Sequence, residues 1–507
     1  MTTPTPPEGA PQSLSRRRFL RLLGAGGLGV GAMSLLAACG GGGGAPAAAP
    51  TSAAAAAPTS APAAAAPTSA PAAAATSAPA AAAPTTAPEA AATSAPAAAP
   101  TTAAGQATKF SGKVVMGAFD DPALEPMKTM FAEWGKLRGV ETSWESFPYS
   151  TWYEKALNDG QSKTGAYDVL NLDDPWIPIF AGGGYLANLS KMGWKPDADF
   201  QKQSMDLGYW PPKEGPRVKG SPDTPEIYAI PSIGDVMSLV WRKDIFDKEP
   251  TTWDDIVANA EAKSDPAHEK YGWVTRGVKG NPIAVTFLPI MWSFGADVFD
   301  DKWNPMVNSD KAVQALEFYI SLRKYMPDGV AEFDYDQEGA TMLSGKVAAA
   351  TLWTGIIRQL DLPDKSQVVG KCEFGICPKK ERYASHIGLF ICGVSEFSKN
   401  KEAAADFLFW FAQNDVQTRF ATMGGTPVKV PAFKDPQVVA KQRWLPKILQ
   451  SLDNSFPRPR TPDWQKLEDI WGTRINEAFV AKSGAKEKMD QAASEMKDYL
   501  TSQGYYS

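Results

Sequence analysis

The fold class follows from residues 167–176, YDVLNLDDPW, and from the pattern around them. The apolar run from Tyr167 to Leu172 predicts a buried strand, and it ends on Asp173-Asp174-Pro175-Trp176. In open α/β sheets, ligands lie in the crevice beyond the carboxyl ends of the parallel strands. The polar and aromatic residues that close this strand are therefore candidates for a binding cleft.

The chain before this stretch alternates strand and helix patterns. Lys113–Phe119 predicts a strand, Ala123–Leu137 a helix, Val140–Phe147 a strand and Tyr149–Leu157 a helix. This β-α-β-α-β order predicts an α/β fold with a mainly parallel sheet. Residues at or just after the predicted strand ends are Asp120, Asp121, Tyr149, Trp152, Asp173, Asp174 and Trp176.

The later chain continues in the same manner. Predicted strands at Tyr228–Pro231 and Val236–Trp241 flank Gly234-Asp235, and a strand at Val347–Leu352 leads into Trp353. Helical periodicity is found at Thr252–Ala262, Lys311–Lys324, Lys401–Ala412 and Pro462–Phe479. Roughly 400 residues follow residue 108, which is enough for two lobes with separate cores.

Charge and motif content argue against nucleic-acid binding and catalysis. The formal net charge is −5, and no basic tract occurs outside residues 15–21, so nucleic acid is a poor candidate partner. The only histidines are His268 and His386, and no zinc, phosphate-loop or nucleophile-elbow motif is present, so the sequence predicts no metal and no cofactor. Asp173 and Asp174 form the obvious carboxylate pair for a glycosidase. Adjacent residues of an extended chain, however, point to opposite sides.

Tryptophan is the positive signal, with 16 in the chain. Trp134, Trp253 and Trp410 stand at helical spacing among apolar residues and are predicted to be core. Four others, at strand ends or near glycines, are predicted to contact ligand: Trp152, Trp176, Trp292 and Trp353. Aromatic faces stack on the C–H faces of sugars, and carboxylates bind their hydroxyl groups, so a cleft with both suits a polyol.

The first 108 residues resemble an export signal followed by a tether. Arg16 and Arg17 resemble a twin-arginine motif, and an apolar run leads to Leu36-Ala37-Ala38-Cys39, which resembles a bacterial lipobox. We expect residues 1–38 to be a signal peptide and Cys39 to be the lipidated N-terminus, so that the protein is anchored outside the cytoplasm. Residues 39–108, almost entirely Gly, Ala, Pro, Ser and Thr, are expected to form an unfolded tether.

Cysteine usage is low after Cys39. Only Cys372, Cys377 and Cys392 remain, and at least one thiol must be free unless it pairs between chains. We expect buried, structurally ordinary cysteines. A Cys372–Cys377 or a Cys372–Cys392 bridge stays open as an alternative.

An ordered set of segments resembles a known family. Residues 167–176 with 180–186 (FAGGGYL), 228–231 (YAIP) with 241–246 (WRKDIF), 250–255 (PTTWDD), 345–349 (GKVAA) with Trp353, and 398–404 (SKNKEAA) carry the resemblance. Together they are similar to the family 1 extracellular solute-binding proteins, the carbohydrate receptors of ABC importers, over roughly residues 113 to 500. The resemblance implies a two-lobed periplasmic-binding-protein-like fold with a hinge and a ligand cleft between the lobes.

The resemblance also implies the lobe limits and the ligand contacts. Lobe 1 comprises approximately residues 110–234 plus 387–430, and lobe 2 approximately 235–386 plus 431–507. Phe390 falls where many members have tryptophan, in IGLFIC at 387–392, so its stacking role is less firmly implied. The segments GGTP at 424–427 and RPR at 458–460 resemble loops near the cleft. The full set of predicted ligand-binding residues is Asp121, Tyr149, Trp152, Asp174, Trp176, Asp235, Trp292, Trp353, Phe390, Thr426 and Arg460.

The function implied is binding without catalysis. A sugar or oligosaccharide would close the two lobes, and the closed, monomeric receptor would deliver it to an ABC permease in the membrane. A receptor of the same fold for a polyamine is the main alternative, because Asp and Trp also suit cations. An anion would favour Arg or backbone amides in the cleft. A secreted glycosidase lipoprotein is the remote alternative.

Overall fold

The computed structural model describes residues 109–506. The predicted signal peptide with Arg16 and Arg17, the predicted lipidation site Cys39 and the predicted tether to residue 108 lie outside the described residues. Among the described residues, no helix has the length and apolar character needed to cross a membrane.

The described chain alternates short strands with helices. The strands are β1 (Lys113–Phe119), β2 (Glu141–Phe147), β3 (Val169–Asp173), β4 (Tyr209–Trp210), β5 (Glu226–Ile227), β6 (Ala229–Ile233), β7 (Ser238–Arg242), β8 (Tyr271–Trp273), β9 (Val347–Leu352), β10 (Cys372–Gly375), β11 (Ser385–His386), β12 (Phe390–Val394) and β13 (Ser455–Phe456).

The α-helices are α1 (Glu125–Arg138), α2 (Tyr149–Ser162), α3 (Ile177–Gly182), α4 (Lys202–Asp206), α5 (Trp253–Lys263), α6 (Asn281–Ser293), α7 (Asp310–Ser321), α8 (Tyr335–Leu343), α9 (Thr354–Ile357), α10 (Lys401–Phe411), α11 (Asn414–Thr422), α12 (Val430–Lys434), α13 (Pro436–Lys441), α14 (Leu445–Asp453), α15 (Trp464–Ala481) and α16 (Ala485–Ser502). Short 3-10 helices lie at Pro122–Leu124, Asp174–Trp176, Pro266–His268, Leu322–Tyr325 and Asp328–Glu332.

Two larger sheets organise these elements. The first has the strand order β2-β1-β3-β12-β6 and the second has the order β10-β7-β9-β8. In the first sheet β1 pairs in parallel with β2 and β3, as predicted, whereas β12 runs antiparallel to both β3 and β6. The sheet is therefore mixed, because the chain reaches β12 from β10 of the second sheet by way of β11, and not through a local crossover helix.

The chain passes between the sheets next to the cleft. Residues 234–237 lead from β6 to β7, and residues 387–389 lead back to β12. The two connections are joined by a bridge between Val236 and Ile387. Close to them, β13 pairs in parallel with β11 and leads into Arg458. The first sheet takes its strands from residues 113–233 and 390–394 and the second from residues 238–375.

Sequence patterns predicted most of these elements well. The bounds of β1 and β9 are those expected, and α5 begins one residue later than predicted because Thr252 caps it. The capping box between Thr252 and Asp255 satisfies backbone N–H groups at the start of that helix. Predicted helix Ala123–Leu137 instead begins as the 3-10 turn Pro122–Leu124, because Asp121 accepts a hydrogen bond from Ala123 N.

The three cysteines among residues 109–506 are buried and form no disulfide. Cys372, Cys377 and Cys392 are all free thiols, which confirms the prediction of ordinary buried cysteines. The alternative bridges from Cys372 to Cys377 or to Cys392 are wrong. Trp134 and Trp253 are fully buried and Trp410 nearly so, which confirms their prediction as core residues.

Candidate functional site

A cleft of about 600 Å³ lies at the carboxyl edge of the first sheet and reaches the second. Because β1 and β3 run parallel, Asp121 and Asp173 at their carboxyl ends meet at one edge. The second-sheet side contributes Tyr335 at the start of α8 and Trp353 after β9. The lining also includes residues from the connections between the sheets and from their neighbours, namely Asp235, Gly388, Phe390 and Arg458. Residues of α6 and α15 contribute to it as well.

Aromatic rings form much of the wall on the first-sheet side. The ring of Phe119 lies 4.6 Å from Phe390 and 5.5 Å from Tyr149, both edge-on. Behind them, the indole of Trp176 is 4.9 Å from Tyr149 and 5.0 Å from Tyr153. The lining rings are thus held by packing, as a stacking surface for a ligand requires.

Trp353 and Tyr335 provide rings on the opposite side. Trp353 is 8% exposed and lies edge-on to His386 at 5.2 Å. Gly388 allows this position, since a Cβ there would lie 2.6 Å from the indole ring. The hydroxyl oxygen of Tyr335 is buried, and no hydrogen-bond partner for it exists among residues 109–506.

A buried ion cluster supports the floor of the cleft. Arg458 donates to Asp173 Oδ1 at 2.6 Å and to Asp174 Oδ2 at 3.1 Å, and Tyr149 donates to Asp173 Oδ2 at 2.6 Å. Burial alone would lower the pKa of Arg458, but Asp173 and Asp174 outweigh burial and raise it. Arg458 therefore stays charged and fixes both aspartates and, through Asp173, the Tyr149 ring.

Two further carboxyl groups of the cleft, Asp121 and Asp235, lie beside the start of α9. Asp235 Oδ1 accepts from Val236 N at 3.0 Å, from Thr354 N at 2.9 Å and from Thr354 Oγ1 at 2.6 Å. Asp121 Oδ1 accepts from Ala123 N at 2.7 Å. Burial, and next the charge of Asp235, raise the pKa of Asp121 to about 7, and burial raises that of Asp235 to about 6.

The charge of the lining is strongly acidic. The carboxyl side chains are Asp120, Asp121, Asp173, Asp235, Asp334, Asp336, Glu468 and Asp469, whereas the only basic groups of the lining are Arg276 and Arg458. Both guanidinium groups are already paired, Arg276 with Asp334 Oδ1 at 2.7 Å and Arg458 with Asp173. Among residues 109–506, no group of three or more His, Cys, Asp or Glu side chains could hold a metal ion.

The cleft contains five of the residues predicted to bind ligand. These are Asp121, Tyr149, Asp235, Trp353 and Phe390. Sequence reasoning missed several lining residues, among them Tyr153, Arg276, Tyr335, Glu468 and Asp469. Tyr335 stands one residue after Asp334, the cap of α8, and that capping pattern was the only local signal for it.

The other predicted ligand-binding tryptophans lie outside the lining. Trp152 is fully buried, donates from Nε1 to Asn171 O at 2.6 Å and stacks on Phe147, so it packs in the core beside β3. Trp176 is fully buried behind Tyr149. Trp292 packs against His386 and Phe456 in the interior. In this structure each of them supports the cleft region rather than faces it.

Three polar residues that were predicted to bind ligand also lie behind the surface of the cleft. Asp174 is fully buried and accepts from Arg458 and from Leu389 N. Arg460 is buried and donates to the backbone oxygens of Asp174 and Leu207, both at 2.6 Å. Thr426 is buried and accepts from Gly234 N through its backbone oxygen. These contacts hold the three residues within the protein, although Asp174 Oδ1 has no hydrogen-bond partner among residues 109–506.

Relatives of known name share most of the described chain. A probable amino-acid ABC transporter periplasmic-binding protein of Sinorhizobium fredii is 25% identical over 405 residues, covering 78% of this chain and 90% of the relative. A mannitol-binding protein of Pseudomonas aeruginosa is 24% identical over 384 residues, covering 70% of this chain and 84% of the relative. Both relatives are named as binding proteins.

Solved structures show the same fold. Maltose-bound MalE3 of T. maritima matches with a TM-score of 0.68 at 24% identity, covering 77% of this chain and 100% of that chain. A solute-binding protein of Agrobacterium radiobacter in complex with ribitol matches with a TM-score of 0.67 at 24% identity, covering 76% of this chain and 98% of that chain. The predicted two-lobed α/β fold of periplasmic binding proteins is thereby confirmed.

The family model described as bacterial extracellular solute-binding protein matches residues 121–418, which include β2, β3, the connections between the sheets and five of the lining aromatic residues. Members of this family are binding proteins rather than enzymes. The match spans more than half of the 507 residues, and this chain therefore belongs to the bacterial extracellular solute-binding protein family.

Proposed function

We propose that this protein is the receptor of an ABC importer and binds a sugar or sugar alcohol in the cleft. The observation that carries the proposal is the lining itself, in which the rings of Phe119, Tyr149, Trp353 and Phe390 stand beside carboxylates that accept from hydroxyl groups. The mannitol-, maltose- and ribitol-binding relatives support the same ligand class.

The relative named as a probable amino-acid receptor suggests a different ligand class. An α-amino acid carries a carboxylate, which would need a free cation or backbone N–H donors. In the cleft both lining guanidinium groups, Arg276 and Arg458, are held by aspartates. The lining therefore favours a ligand rich in hydroxyl groups over an amino acid.

The proposed mechanism is closure of the two lobes on the ligand. A ligand that contacts Tyr149 on one side and Trp353 on the other stabilises the closed state by its differential affinity for that state. The closed receptor then docks on a membrane permease. A lipid on Cys39 and the tether to residue 108 would keep the receptor near that permease and raise its effective concentration there.

A thermal-shift screen tests the ligand class. The panel holds monosaccharides, maltose, mannitol, ribitol, amino acids and spermidine, each at several concentrations. A ligand at 100 times its dissociation constant stabilises the folded protein by about 2.7 kcal/mol. We expect a shift from at least one sugar or sugar alcohol. Shifts from amino acids or spermidine alone would refute the proposed ligand class.

A further inference from the structure

The cleft holds more negative charge than a neutral sugar requires. Of its eight carboxyl groups, three are close to a basic side chain: Asp173 to Arg458, Asp334 to Arg276, and Asp469 to Lys466. No such ion pair within residues 109–506 involves the other five, which are Asp120, Asp121, Asp235, Asp336 and Glu468.

Burial makes the charge of these unpaired carboxyl groups energetically unfavourable. Asp235 is 4% exposed and Glu468 is 1% exposed, and both are bound only by neutral donors, Thr354 and Val236 for Asp235, and Asn281 and Trp464 for Glu468. A buried carboxylate without a compensating cation is unfavourable. The charge of Arg458 partly compensates Glu468, whereas Asp235 is bound by no basic side chain among residues 109–506. A ligand can supply a cation there.

The unpaired groups converge at one point of the cleft. The Tyr335 hydroxyl oxygen and Asp121 Oδ1 lie 2.4 Å and 3.1 Å from the place where a Cβ on Gly355 would be. Gly355 follows Thr354, whose N–H and hydroxyl both donate to Asp235. The charges of Asp121 and Asp235 both act on the buried Tyr335 hydroxyl. This hydroxyl has no hydrogen-bond partner among residues 109–506.

The surroundings suit an ammonium group better than a metal ion. Aromatic rings of Tyr335, Phe119 and Trp353 line the same cleft, and ring faces attract cations. An ammonium group also donates hydrogen bonds in several directions, to two carboxylates and to the unpartnered Tyr335 oxygen.

From this convergence we infer that the ligand is a sugar or sugar alcohol that bears a protonated amine, whose ammonium group lies between Asp121 and Asp235. The inference rests on the proposed function and narrows its ligand class. The hydroxyl groups of the ligand meet the aromatic rings and the remaining carboxylates.

The inference also predicts that ligand binding changes the protonation of Asp121. Its carboxyl group faces Asp235, Asp336, Arg358 and Tyr335, and accepts from Ala123 N. In the absence of ligand its pKa is raised to about 7, by burial first and by Asp235 next. A cation favours the charged carboxylate, so binding lowers this pKa and releases protons near neutral pH. Affinity for an amine therefore rises between about pH 5.5 and pH 8, since an aliphatic amine keeps its proton there.

Matched pairs of ligands test the inference by isothermal titration calorimetry of the full-length protein. The pairs are sorbitol with glucamine, in which an amine replaces one terminal hydroxyl of sorbitol, and N-acetylglucosamine with glucosamine, with spermidine as a cation without hydroxyl groups. We expect at least one amine to bind about 10-fold to 100-fold more tightly than its neutral partner, as for hydrogen bonds to charged groups. We also expect glucamine to bind more tightly at pH 8 than at pH 5.5.

The variants Asp121→Asn and Asp235→Asn remove one charge each and keep the Oδ1 acceptor. Both are expected to reduce the preference for the amine over its neutral partner, whereas Asp254→Asn, at an exposed ion pair with Lys380, is expected to leave it unchanged. If no amine of the panel exceeds its neutral partner, the inference is wrong while sugar binding stands. If spermidine binds and no sugar or sugar amine does, the proposed function fails as well.

Discussion

Arg458 is the residue on which the geometry of the cleft floor depends most. Its side chain is 3% exposed and holds two carboxylates, Asp173 and Asp174, that are themselves buried. Asp173 in turn accepts a hydrogen bond from the hydroxyl of Tyr149, whose ring lines the cleft. Removing one partner of a buried ion pair leaves an uncompensated charge, which costs more than the pair itself contributes.

We predict that Arg458→Ala lowers the free energy of unfolding by about 3–5 kcal/mol. The matched control is Arg419→Ala, which removes a 2.6 Å pair with Glu133 whose partners are both about half exposed and should cost less than about 1 kcal/mol. Urea unfolding followed by far-UV circular dichroism measures both. Equal losses in the two variants would show that the buried cluster has no special role.

Residue positions next to strand ends were predictable only in part. Asp121, Tyr149 and Asp235 follow strands and do face the cleft. Trp176 also follows a strand, but it closes the 3-10 turn Asp174–Trp176, and the indole is directed behind Tyr149. A sequence pattern locates the end of a strand, but the side of a turn to which each side chain points depends on tertiary packing.

At the scale of elements, α8 carries an unusual group in its first turns. Glu338 is fully buried, and neither of its carboxyl oxygens has a hydrogen-bond partner among the described residues. Burial raises its pKa from 4.5 to about 8, with Arg276 opposing the shift and Asp334 adding to it. The folded protein therefore keeps this proton at neutral pH, where the unfolded chain has lost it.

The sign of the pH effect follows from linkage. Because the unfolded chain binds fewer protons at this group, the free energy of unfolding falls as pH rises between about 4.5 and 8. We predict that Glu338→Gln, which cannot ionise, loses less stability than the parent protein over this range, by roughly 2–4 kcal/mol. Glu332→Gln, an exposed neighbour, is the control. Parallel stability–pH curves for parent and Glu338→Gln would contradict the prediction.

The elements themselves were mostly predictable, because strands and helices leave periodic patterns. The bounds of β1, β9 and the start of α2 are those expected from hydrophobic spacing. The direction of β12 was not predictable in this way, since it depends on the connection at residues 387–389 that leads from β11. Local periodicity carries no information on such long-range order.

At the scale of the whole molecule, a contact across the cleft joins the ends of the two sheets. Arg358, after β9 and α9, donates from Nη1 to the backbone oxygen of Pro122, after β1, at 2.6 Å. Its charge also acts on Asp121. This contact stabilises an arrangement in which both sides of the cleft approach each other.

We predict that Arg358→Ala weakens ligand binding about 5-fold to 30-fold, because one to two kcal/mol of stabilisation of the closed state is lost. Small-angle scattering in the presence of saturating ligand should give the same radius of gyration as the parent protein, while the ligand concentration needed to reach it increases. Lys365→Ala, an exposed cation on the same side, is the control. An unchanged affinity would show that Arg358 does not stabilise the closed state.

Sugar binding in the cleft is tested most directly by calorimetric titration of the full-length protein and of Trp353→Phe with the sugar or sugar alcohol that gives the largest thermal shift. We expect one ligand per chain, no turnover of the ligand, and at least 5-fold weaker binding to Trp353→Phe, which keeps a ring in the buried cluster of Met237, Val285 and Cys377 but offers a smaller stacking surface. Equal affinity of both proteins for the sugar would contradict the proposal that the cleft binds a sugar. Stoichiometric binding of an amino acid or spermidine with no heat from any sugar would contradict it as well.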